Sequence, residues 1–130
     1  FILLAHPERC AQLAASPRLV DRLTESGVYL QVNWDSFLGY HGRAALQMAH
    51  HLAENGHIHC LATDSHNPQE RHAAHVRLAA AKIEKLIGGE NLQRIARENP
   101  LRILRNTHPL PMMKPYLKSE LKKKSKWWFW

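Results

Sequence analysis

Cysteine is scarce: 130 residues hold two, Cys10 and Cys60, and neither has a second cysteine at metal-knuckle spacing. That excludes a disulfide framework and a cysteine-built zinc site, and a reduced, cytoplasmic setting is expected. No apolar run approaches the roughly 18 residues that would mark a membrane-spanning helix. Acidic residues are sparse at one end. Between Lys114 and Trp130 stand six lysines and one glutamate, so +5 of the net charge of +7 lies there. Residues 1 to 113 are nearly neutral, which leaves no basis for a nucleic-acid-binding domain. The opening stretch FILLAHP shows no signal-peptide pattern and reads as a strand already under way.

Three strand-then-helix units follow one another. FILLA precedes SPRLVDRLTESG, in which Ser16 suits an N-cap, Pro17 the first helical position and Gly27 the stop. VYLQV precedes the loop NWDSFLGYHG and a helix, RAALQMAHHLAENG, that stops at Gly56. HIHCLAT precedes the loop DSHN and a long helix opening at Pro68 and closing at Gly88. That helix carries Val76, Ala79, Ala80, Ile83, Leu86 and Ile87 at helical spacing. ENLQRIAR is a shorter helix stopped by Asn99-Pro100, and PLRILRN a last turn docked on the body. Repeated strand–helix units predict an α/β fold with a parallel sheet. A closed β/α barrel takes about 250 residues. Two readings remain: a small open α/β domain, or the C-terminal units of a barrel whose N-terminal strands are missing. Residues 108–130 change composition, to prolines, then lysines, then aromatics, and predict a disordered tail.

Chemistry-bearing residues recur where each strand ends. The first strand ends in AHPER, giving His6, Glu8 and Arg9; the second carries Gln31 and Asn33; the third ends in TDSHN, giving Asp64 and His66. In parallel α/β folds the loops at the C-terminal strand ends converge and collect functional groups. Taken alone, Asp-x-His in a loop is more often a turn or a cap than a ligand pair, and Arg71 on a first helical turn is by default solvated. Position decides for function here, because three consecutive polar strand ends answer no packing need. Carboxylate and imidazole together suit Zn, Mn or Fe. Arg9 and Arg71 each follow a ligand-type residue closely, and guanidinium forks match phosphate oxygens. Metal ligands beside two arginines point to metal-assisted phosphoester hydrolysis. Neither cysteine sits in a phosphate-cradling loop, so no phosphocysteine route is expected. The remaining histidines read mostly as structural, with His50, His51, His72 and His75 falling within helices.

LLAHPER, LQVNWDSFLGYHG, LATDSHNPQER and ENPLRILRN resemble, in order and spacing, the C-terminal half of the CpsB/CapC family. Its members are bacterial protein-tyrosine phosphatases of capsule and exopolysaccharide loci, within the polymerase and histidinol phosphatase (PHP) superfamily. The resemblance implies that residues 1–107 are part of a distorted PHP-type β/α barrel with up to three divalent ions, typically Mn²⁺. By resemblance His6, Asp64 and His66 are metal ligands, with Thr63 where the family motif has serine. Arg9 and Arg71 then hold the substrate phosphate. The family's early His-x-His motif and its other metal ligands are not found in this sequence, so the chain by itself is expected to be inactive. The implied partner is the phosphotyrosine-bearing tail of a membrane-associated kinase. Two rivals stand beside this expectation: a small-molecule phosphoesterase, such as a histidinol phosphatase, and a non-catalytic membrane- or kinase-docking module. KKKSKWWFW, from Lys122 to Trp130, joins lysines to tryptophans and predicts contact with an anionic membrane surface at the cytoplasmic face.

Overall fold

In the computed structural model, which describes residues 1–67 and 73–114, the three apolar runs form one parallel sheet. Strand β2 (Val28–Asn33) lies between β1 (Ile2–Ala5) and β3 (Cys60–Ala62). The register sets Ala5 beside Gln31 and Asn33 beside Ala62, so the three strands deliver their C-terminal ends to one edge of the sheet. Being central, β2 buries Leu30 and Val32 completely, as expected where a parallel strand is covered on both faces. β1 is an edge strand, with Ile2 67% exposed.

Helices α1 (Ala11–Ala15) and α2 (Pro17–Glu25) lead from β1 to β2, and α3 (Gly42–Glu54) leads from β2 to β3. α3 buries Ala45, Met48, Ala49, Leu52 and Ala53, an i, i+3, i+4 stripe that faces the core. α4 (Ala73–Ile87) does the same with Ala79, Ile83 and Ile87. These stripes join Leu30, Val32, Phe37, Ile58 and Ile95 in one apolar cluster. Truncating a fully buried member such as Leu52 to alanine would cost about 2–5 kcal/mol. Gly27 and Gly56 sit at φ 83° and 74° after α2 and α3, the left-handed geometry that a glycine stop supplies.

Four sequence expectations are corrected. β3 starts at Cys60 rather than His57, because the His59 ring itself takes a ladder donor: its Nδ1 accepts the Leu30 N–H at 3.0 Å. A short helix, α1, and a 3₁₀ turn at Pro7–Arg9 fill the stretch between β1 and α2 that carried no helix signal. Asn99-Pro100 does not stop the helix after Gly88. α5 (Gly89–Gln93) passes through a π turn at Arg94–Glu98 into α6 (Asn99–Leu104), where the missing proline N–H falls in a first turn and does no harm. The chain also stays bonded to the body past residue 107. Asn99 Nδ2 donates to Leu110 O and Asn99 Oδ1 accepts from Leu110 N, both at 2.8 Å. Asn91 brackets Met113 in the same way at 3.0 and 2.8 Å. The helix start expected at Pro68, with Arg71, and the basic–aromatic segment from residue 115 onward lie outside the described residues. Among the described residues no helix is long and apolar enough to cross a membrane.

Candidate active site

The shared strand edge brings together what the sequence spreads over 60 residues. At the end of β1, His6 continues the ladder through its N–H to Gln31 O at 2.8 Å, then turns left-handed (φ 39°) immediately before Pro7. That turn sends the next two side chains in opposite directions. Glu8 folds inward and is 2% exposed. Arg9 faces out, its side chain 43% exposed.

Glu8 Oε1 accepts two hydrogen bonds, from the Asn33 backbone N–H at 3.0 Å and the Ser36 hydroxyl at 2.7 Å. Its Oε2 is buried without a hydrogen-bond partner among the described residues. The carboxyl group thus clamps the end of β1 to the end of β2 and to the 3₁₀ turn Trp34–Leu38 that follows. Behind it, Gln31 Nε2 donates to Asn33 Oδ1 at 2.8 Å. These two residues are two apart on one face of β2, and Asn33 is fully buried.

Asp64 is where the contacts converge. Its Oδ2 accepts from Asn33 Nδ2 at 3.1 Å and from Arg9 Nη1 at 3.4 Å. Its backbone is left-handed (φ 51°), a conformation that costs a non-glycine residue about 1–2 kcal/mol and that asparagine and aspartate tolerate better than most. Two strand-end residues held in this region, His6 and Asp64, mark an edge where surrounding bonds dictate backbone geometry, as functional loops often do. His66 follows with Nδ1 2.9 Å from the Asp64 carbonyl oxygen and 3.8 Å from Asp64 Oδ1, its ring largely exposed.

The sequence-predicted residues are therefore only partly assembled. Arg9, Asp64 and His66 form one group; His6 lies at the end of β1, across β2 from Asp64, with an exposed side chain; Arg71 lies outside the described residues. Among the described residues no three His, Cys, Asp or Glu side chains are placed to hold an ion by themselves. The donor chemistry of Asp64 and His66 nevertheless suits a divalent transition metal.

Glu8 and Asn33 are components that strand-end counting noted but gave no role. Their signal was present: Gln31-x-Asn33 puts two amides on one face of a central parallel strand, where apolar residues are the rule. A second polar group went unnoticed. Asp35, buried after β2, has Oδ1 3.9 Å from His75 Nδ1 at the start of α4. The Tyr40 ring stacks on His75 at 4.9 Å, with its hydroxyl 3.3 Å from Nε2. The Cys60 thiol is structural. Cys60 is buried, and loss of solvent pushes its pKa up to about 11, far from a nucleophile's range.

Comparison with known proteins identifies a family. Residues 1–105 match the capsular polysaccharide synthesis family CpsB/CapC. The chain is 34% identical over 104 residues to the tyrosine-protein phosphatase YwqE of Bacillus subtilis strain 168; the match covers 80% of this chain and 40% of that protein. It superposes with a TM-score of 0.77 and 31% identity on a chain from crystal structures of YwqE from Bacillus subtilis and CpsB from Streptococcus pneumoniae. Those two are described as unique metal-dependent tyrosine phosphatases, and the superposition covers 88% of this chain and 46% of that one. The present chain thus spans less than half the length of these relatives.

Proposed function

The chain belongs to the CpsB/CapC capsular polysaccharide synthesis family, and from that premise we propose that it carries part of the active site of a metal-dependent protein-tyrosine phosphatase regulating capsule and exopolysaccharide synthesis. One observation carries the reading. A partly exposed guanidinium, Arg9, lies 3.4 Å from Asp64, a metal-type carboxylate, at the shared end of three parallel strands. In this reading residues 1–107 are strand–helix units of a PHP-type β/α barrel.

Asp64 and His66, with His6 from the end of β1, are this chain's donors to a divalent ion, manganese by preference, and further donors complete its shell. When bound, such an ion supplies Lewis acidity toward phosphoryl oxygens. Arg9 and Arg71 orient the phosphate. The Arg9–Asp64 bond is long and half in solvent, so Arg9 can exchange the carboxylate for a phosphoryl oxygen at small cost. The substrate is the phosphotyrosine tail of a membrane-associated kinase. The segment from Lys122 to Trp130 keeps the protein at the cytoplasmic face of an anionic membrane.

The test is a chimera in which residues 1–107 replace the matching segment of the Bacillus subtilis relative. It is assayed with Mn²⁺ on a phosphotyrosine peptide, on histidinol phosphate and on simple phosphomonoesters. Preference for the phosphotyrosine peptide is expected. Preference for histidinol phosphate would move the assignment to a small-molecule phosphoesterase, and a folded but inert chimera would favour a docking module.

A further inference from the structure

Among the described residues, Asp64 accepts hydrogen bonds on one oxygen from two donors that differ in length and burial. Arg9 reaches Oδ2 at 3.4 Å from a side chain that is 43% exposed, on a long flexible stem. Asn33 reaches the same oxygen at 3.1 Å from full burial. Its amide cannot turn away. Gln31 Nε2 holds Asn33 Oδ1 at 2.8 Å, and Glu8 Oε1 holds its backbone N–H at 3.0 Å. Glu8 is in turn fixed by the Ser36 hydroxyl at 2.7 Å. A carboxylate can only accept, so the Asn33 nitrogen is the atom that faces Asp64, and the orientation of the amide follows from the network.

From this we infer that Asn33, itself fixed by buried Glu8, is a positioning residue that sets the rotation of the Asp64 carboxylate and the left-handed backbone beneath it. The inference rests on the reading of Asp64 as a metal ligand, and it divides the labour between the two donors. Arg9 can leave Asp64 to engage a phosphate, because Asn33 keeps the carboxylate in place when it does. An amide suits this role better than a second cation, since it orients the carboxylate without adding charge that would repel a metal ion. A donor on the carboxylate of a metal ligand typically changes metal affinity by about 10- to 100-fold.

The full 130-residue chain carries the exchange measurements. Asn33→Leu keeps the branched outline of the side chain and removes the donor. Backbone hydrogen exchange over residues 63–67 should rise by about tenfold or more, while α3 keeps its protection. Arg9→Ala should leave exchange over 63–67 within about threefold of the parent. Reciprocally, Asp64→Ala should speed exchange of the Asn33 side-chain amide seen by NMR, a readout that stands even if Asn33→Leu fails to fold. Unchanged exchange over 63–67 in a folded Asn33→Leu chain, or an Asn33 amide indifferent to Asp64→Ala, would overturn the inference. Mn²⁺ titration of the chimera carrying residues 1–107, which supplies the further donors, followed by water-proton relaxation, separates it from the reading beneath it. Weakening of Mn²⁺ binding by Asp64→Ala, and by about 10- to 100-fold in Asn33→Leu, is expected. Mn²⁺ binding indifferent to Asp64→Ala would overturn the ligand assignment alone, with the exchange data still deciding on Asn33.

Discussion

Mild acid should weaken this fold through His59, at the opposite end of the sheet from the candidate site. The ring lies where β3 begins, its Nδ1 accepting the Leu30 N–H at 3.0 Å and its face meeting the Tyr29 ring at 4.9 Å. Burial above all, and then the neighbouring charge of His57, lower its pKa from 6.5 to about 4, against a small opposing effect of a backbone hydrogen bond. The neutral ring is therefore the folded form, and the unfolded chain takes up the proton first. Stability from this residue is complete above the unfolded value of 6.5, falls as pH drops through the window between 6.5 and about 4, and is gone below it. Between about pH 7 and about pH 5 the loss comes to about 2 kcal/mol, an appreciable part of a domain's stability. Urea unfolding at a series of pH values measures it, run in parallel on His59→Gln, which keeps an acceptor for Leu30 but cannot ionise. The variant should lack about 2 kcal/mol of the parent's acid sensitivity. Equal pH dependence in the two proteins would show that the His59 ring is not held neutral by its burial.

Three further outcomes are expected. Glu8→Ala should lower stability by about 2–4 kcal/mol, since it strands the Asn33 N–H and the Ser36 hydroxyl, and Glu8→Gln by less; urea midpoints check both. In the active chimera, Arg9→Ala should reduce kcat/KM on the phosphotyrosine peptide by about 10- to 150-fold, the equivalent of about 1.5–3 kcal/mol for a charge-assisted bond to phosphate. Deleting residues 118–130 should abolish co-sedimentation with anionic vesicles, and high salt should do the same to the intact chain, because each lysine near such a surface contributes about 1 kcal/mol; equal binding by both forms would exclude the anchor.

Much of the fold was legible because local signals agreed with packing. Ser16-Pro17 and Gly27 bracket α2 within two residues, and the apolar stripes of α3 and α4 face the core as their spacing requires. Three of the misses share one cause, side chains acting as backbone. The His59 ring occupies a ladder position, so strand character begins later than the apolar run suggests. Asn99 looks like half of a helix stop, yet its amide binds the His59 carbonyl at 2.8 Å and brackets Leu110, which holds the helix on course and docks the proline-rich stretch. No local propensity encodes such long-range bonds. For the candidate site, strand-end position placed Arg9 and Asp64, some 55 residues apart, at one edge of the sheet, though it did not give their direct contact. The inward turn of Glu8 was not legible, because it depends on the left-handed backbone of His6 one step before a proline.

The most direct test of the account is Mn²⁺-dependent hydrolysis of a phosphotyrosine peptide by the chimera carrying residues 1–107, measured with and without Asp64→Ala and before and after chelation, with the 130-residue chain alone alongside. The account predicts turnover in the parent chimera that chelation removes and Mn²⁺ restores, none in the Asp64→Ala form, and none from the chain alone. A folded Asp64→Ala chimera that retained the parent's activity, or a parent whose turnover survived chelation, would contradict it.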